Sequence, residues 1–162
     1  MRHSSKQMNV ATYKILKLFQ GNIEEKQISF VISEKNDKTY LLSHNHVLIF
    51  LIEKNGEYQL LRNQLTDVFL TKKDRWASPY SYEDYKFFRK YHIEIEPHKI
   101  KFKEKPIYDL NNYTPESITK RYPSHYYKIN KNKAIAIYGN YVEDLIEVKM
   151  KEILETMQHT SN

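Results

Sequence analysis

The chain of 162 residues contains no cysteine. That excludes a disulfide framework, a thiol nucleophile and every cysteine-ligated zinc site, and it fits a reducing compartment. Glycine is nearly as scarce: Gly21, Gly56 and Gly139 are the whole complement and lie far apart. Loops that cradle phosphates need clustered glycines so that backbone N–H groups can approach the ligand. Neither a Walker A loop nor a dinucleotide fingerprint can be written here. Long apolar runs are missing too. No stretch reaches the roughly eighteen apolar residues of a membrane span, and the opening MRHSSKQMNVATYKILKLF lacks the apolar run of a signal peptide. The expectation is a soluble, cytoplasmic protein with no membrane partner and no cofactor.

Hydrophobic residues make up 40% of the chain and aromatics 14%, enough to fill the core of one ordinary domain spanning 1–162, with short disordered tails at 1–6 and 159–162. Fourteen tyrosines beside abundant Lys, Asn and Ile suggest an AT-rich coding sequence. With the small size, that fits a phage or mobile element of a low-GC bacterium. The net charge of +6 is unevenly placed: residues 71–133 carry fifteen Lys/Arg against eight Asp/Glu, whereas 134–162 carry two against five. A local excess of this kind attracts polyanions over a Debye length, about 8–10 Å at physiological salt. A solubilising surface is the bland alternative.

The pattern predicts an α+β fold. Met8, Ala11, Ile15, Leu18 and Phe19 fall at helical spacing and predict an N-terminal helix ended by Gly21. From 28 to 61, apolar runs broken by EKNDK, HN and KNGE predict an antiparallel meander, with Val47–Ile52 as a central strand and Asn55-Gly56 as its sharpest turn. Residues 63–73 offer a weak helical turn or two. Ser81-x-x-Asp84 opens a helix over 82–91, with Tyr85 and Phe88 facing inward. Ile93 to Glu96 and Lys99 to Phe102 read as strands, the second with lysines on its outer face. Thr114-Pro115 starts a short helix that Pro123 ends. Residues 126–138 form a hairpin around Asn130-Lys131-Asn132. A C-terminal amphipathic helix follows, capped by Asn140 and striped by Val142, Leu145, Ile146, Met150, Ile153, Leu154 and Met157. Residues 146–151 also alternate at period two, a competing strand reading.

Several constellations could carry chemistry. On a strand, His44 and His46 would point to one face and could offer two imidazoles to one metal, a third reading of the chain as a metal-dependent hydrolase. A turn satisfied by backbone and water is the ordinary alternative. No serine sits in a nucleophile elbow, and Glu94 with Glu96 more simply faces water opposite Lys99 and Lys101 than binds Mg²⁺. What stands out is basic residues interleaved with aromatics, over Lys72 to His92 and Lys120 to Lys133. Cations neutralise phosphates and flat rings stack on bases. The candidate contacts are Lys72, Lys73, Arg75, Trp76, Arg89, Lys90, Lys120, Arg121, Tyr126, Lys128, Lys131 and Lys133.

Residues Leu16 to Phe50 resemble the helix and first strands of a DNA sliding-clamp domain. Ser43, His44, Asn45, His46 and Leu48 stand where such domains carry T-[DN]-G-H-x-L in a turn between strands. Serine replaces threonine, His44 replaces the acid, and Asn45 replaces a glycine. The resemblance implies DNA replication, a closing strand over 144–151, and oligomerisation to encircle duplex. The leading expectation is therefore a small non-catalytic protein that binds nucleic acid, or an acidic surface of the host replication machinery, with a homo-oligomer open. An inhibitor or adaptor that blocks a host or defence enzyme through the same Trp and Tyr residues is the alternative.

Overall fold

The computed structural model describes residues 9–159, and their side chains apart from those of residues 62 and 63. Of the expected tails only His159 is described, and it ends the last helix. The fold is α+β: four helices and three sheets among the described residues. The chain divides into two compact units, Met1–Asp67 and Val68–Asn162. Each has a hydrophobic cluster of its own.

The first unit holds β1 (Asn9–Lys14), β2 (Gln27–Ile32), α1 (Lys35–Ser43), β3 (Val47–Lys54) and β4 (Glu57–Asp67) in a sheet ordered β1-β2-β4-β3. The expected N-terminal helix is replaced over 9–14 by a strand. Ala11, Tyr13 and Ile15 alternate toward the core, and this period-two pattern, backed by Val10, Thr12 and Tyr13 as strand formers, overrides the helical spacing. The expected strand at Thr39–Ser43 belongs to α1, which buries only Leu41. Its hydroxyls fold back onto the helix, Ser43 donating to the Thr39 carbonyl at 2.6 Å.

Nor is the sheet a simple meander, because β2 pairs parallel to β4, and α1 spans the connection from β2 to β3 that passes over β4. Consequently β3 lies at the edge, not the centre, and its apolar residues are mostly half-buried. The Asn55-Gly56 turn forms as expected, with φ of 54° and 78°. Residues expected to make a helical turn after Leu61 instead extend β4 to Asp67.

The second unit contains β5 (Phe69–Leu70), β6 (Trp76–Pro79), α2 (Tyr82–Lys90), β7 (His98–Lys99), β8 (Ile107–Asp109), α3 (Pro115–Arg121), β9 (Tyr127–Asn130), β10 (Lys133–Ala136), β11 (Tyr138–Tyr141) and α4 (Val142–His159). One sheet runs β5-β6-β11-β7, and an isolated antiparallel bridge from Thr71 to Phe102 ties the chain after β5 to the chain after β7. The other runs β8-β10-β9. At Gly139, paired with Pro79, a Cβ would overlap the Ser78 carbonyl oxygen, so only glycine lets β6 and β11 approach.

Helix starts obey the sequence. Ser81 accepts from the Asp84 amide and Thr114 from the Ser117 amide, with Pro115 in the first turn. The β9–β10 hairpin turns at Lys131, whose φ is 52°. Residues 93–96 are irregular, and the expected strand at 99–102 shrinks to β7 and the Phe102 bridge. Residues 144–151 are helical, so the closing strand implied by the clamp resemblance is absent. Ser43–Leu48 leads from α1 into β3 and makes no turn between paired strands.

Candidate nucleic-acid interface

Tyrosines converge where β6 runs into α2. Tyr80 is buried, and the half-buried Tyr126 stacks on it at 4.4 Å between ring centroids. Tyr138 lies 5.6 Å beyond, and the exposed His125 flanks both, 4.9 Å from Tyr126 and 5.6 Å from Tyr138. Burial pushes the Tyr80 hydroxyl to a higher pKa, partly offset by a hydrogen bond from the exposed Arg89 on α2. Tyr127 donates its hydroxyl to the Tyr80 carbonyl and locks the backbone that carries the stack. On the first turn of α2, Tyr82 lies under Lys120, whose ammonium is 5.1 Å from the ring centroid, while Arg121 pairs with Glu83 at 3.5 Å.

Beneath this surface the polar groups are matched. Tyr85 donates to Asn140 Oδ1 at 2.7 Å, and Asn140 Nδ2 donates to the Glu96 carbonyl at 2.8 Å. Asn140 thus lies within β11 as a buried cross-link and does not cap α4. Burial drives the Tyr85 hydroxyl well above the usual tyrosine range, against the smaller opposing effect of its bond to Asn140. Lys149, 1% exposed, sits 2.6 Å from Asp84 and 3.4 Å from Glu152. This ionic contact turns α4 away from the expected stripe: Lys149 and Glu152 go inward while Leu154 and Met157 are left exposed.

The twelve candidate contacts all fall in the second unit, in several local settings. Arg89, Lys120 and Tyr126 gather around Tyr80 and Tyr82, with Arg121 beside them. Lys128 and Lys133 lie on the outward face of β9 and β10, and Lys131 at their turn; all three are exposed. Lys72 and Lys73 are exposed after β5, and Lys90 lies 5.2 Å from the Tyr91 ring centroid. Arg75 is held by Glu143 at 3.3 Å and stacks on Tyr141 at 3.7 Å, and Trp76 is half-buried on β6. Tyr80, Tyr82, Tyr138 and His125 belong with the aromatic group but escape a reading by charge. Their signal was the tyrosine spacing on either side of Ser81, Pro123 and Gly139.

His44 ends α1. Its ring stacks on Tyr40 at 4.0 Å and its Nδ1 is 2.8 Å from the Tyr40 carbonyl, so the His-Asn-His segment is a helix-to-strand connection and not a strand. Among the described residues no group of three or more metal-ligating side chains forms, with His46 or elsewhere. No helix among them is long and apolar enough to cross a membrane. No protein-family model, curated protein or solved structure matches the chain.

Proposed function

We propose that the chain is a small non-catalytic protein of a phage or mobile element that binds nucleic acid through the aromatic and basic surface of its second unit. The observation that carries the reading is the stack of Tyr126 on Tyr80, with Arg89 close to Tyr80 and Lys120 over the neighbouring Tyr82. Rings already held in place by packing lose little freedom when a base stacks on them, and adjacent cations supply phosphate attraction. The half-exposed Tyr126 and the exposed His125 are the aromatic side chains offered to bases. Fluorescence anisotropy with single- and double-stranded DNA and RNA across a salt series tests this. Binding at low salt that weakens by about 1–3 kcal/mol in Tyr126→Ala supports it. Absence of binding to every nucleic acid at low salt removes it and leaves the protein-partner alternative, for which pull-down with wild type and Trp76→Ala is the measurement.

A further inference from the structure

The sequence places three lysines alternately at 99, 101 and 103, and the fold gives that pattern a partner. Thr71 is 1% and Phe102 6% exposed, and they face each other across an antiparallel bridge. The Lys72 amide donates to the Lys101 carbonyl at 2.8 Å, and the Lys103 amide to the Leu70 carbonyl at 2.9 Å. With Thr71, Ile100 and Phe102 turned inward, alternation turns Lys72, Lys99, Lys101 and Lys103 outward, and all four are exposed. Lys72 therefore stands directly opposite Lys101, a like-charge pair of the kind that destabilises a sheet.

Lysines on strands commonly protect a free edge from pairing with another chain. That explanation does not apply here, because Thr71 also bonds to Arg75 on the β6 side, so this backbone is paired on both sides. Along the chain the lysines recur every second residue, about 6.6 Å apart by the rise of a strand. Asp74 bonds to Lys103 and is the one carboxylate paired with these four lysines among the described contacts.

We infer that the seam between residues 70–72 and 99–103 is a second site, a phosphate-backbone contact that binds the sugar-phosphate chain without reading bases. The inference rests on the nucleic-acid reading above and divides its labour: rings around Tyr126 take bases, and the lysine seam takes phosphates. Each phosphate neutralised releases counterions, so the seam is visible in the salt dependence of binding.

The test is anisotropy of a short labelled oligonucleotide, single-stranded and as a duplex, over a salt series. The proteins are wild type, Lys72→Gln/Lys101→Gln, Asp74→Asn and Tyr126→Ala. Two lost phosphate contacts lower the slope of log K against log salt by about 1.4 for a single strand and about 1.8 for a duplex. Binding near 0.1 M salt falls about tenfold or more. Asp74→Asn, at a φ of 56° that asparagine tolerates, releases Lys103 and tightens binding with a steeper slope. Tyr126→Ala weakens binding with the slope unchanged. An unaltered slope in the double variant, or weaker binding by Asp74→Asn, overturns the seam while wild-type binding keeps the proposed function. Wild type that binds neither DNA nor RNA, single-stranded or duplex, at low salt overturns both. Should the double variant fail to fold by circular dichroism, the sign of the Asp74→Asn effect decides alone.

Discussion

The two units solve the problem of filling a core in different chemistry. The first packs Ile28, Phe30, Ile32, Leu41 and Leu60, side chains with no polar atom to satisfy, and adds the buried polar Gln64 and Thr66. The second buries Tyr80, Tyr85 and Tyr127 with Asn140 and Lys149, so each buried ring or chain brings a donor that needs an acceptor. Apolar packing tolerates repacking, whereas a hydrogen-bonded interior accepts few arrangements. The unit proposed to meet nucleic acid is thus the one whose surface rings are fixed from below by directional bonds.

The comparison can be broken by substitutions that act on one unit alone. The largest effect is expected from Gly139→Ala, where the new methyl would collide with the Ser78 carbonyl. It should cost more than about 4 kcal/mol and abolish the second unit's tyrosine near-ultraviolet dichroism, while backbone NMR signals of residues 9–67 persist. Lys149→Met strands Asp84 and Glu152 without their cation and should destabilise the second unit by about 3–5 kcal/mol in urea unfolding. Phe30→Ala empties a site 1% exposed in the first unit, at a similar cost of about 3–5 kcal/mol, and should leave the alkaline behaviour of the second unit unchanged.

Tyr85→Phe leaves Asn140 Oδ1 without its donor and should cost about 1–3 kcal/mol at neutral pH. It also sharpens the contrast at high pH. Because Tyr80 and Tyr85 are raised when folded, their contribution is fully present below the unfolded tyrosine pKa of about 10. It is lost as pH climbs from there toward their folded values, by about 1.4 kcal/mol per pH unit for each ring held protonated. Denaturant midpoints above pH 10 should fall for wild type and less steeply for Tyr85→Phe. The smallest effect is Thr114→Ala, which removes the 3.2 Å cap of α3 for about 1 kcal/mol.

Local signals in the sequence located the elements of the second unit better than those of the first. Ser81, Thr114-Pro115 and the 130–132 turn act through their immediate neighbours and so read correctly in isolation, as Asn55-Gly56 does in the first unit. β1 is not legible in the sequence because Ala11 and Ile15 serve a helical period as well as an alternating one, and only pairing with β2 decides between them. α1 is not legible because Thr39, Tyr40, Leu41 and Leu42 look strand-like, while the crossover between non-adjacent strands that favours a helix there is set by the sheet order. The charge excess falls in the second unit, where the candidate surface is proposed. It could not show that Arg75 is occupied by Glu143, or that Lys101 faces Lys72, since both depend on residues far apart in sequence.

The bridge from Thr71 to Phe102 has a consequence for how the second unit opens. A sheet whose outer strands are tied through the residues that follow them has fewer loose ends from which unzipping can begin, so the amides beside that tie should exchange slowly with solvent. Among the described residues, the sheet of the first unit has β1 and β3 as its margins with no strand joining them. Fraying there can proceed strand by strand, leaving the tied backbone in the second unit as the last part of the molecule to let water in.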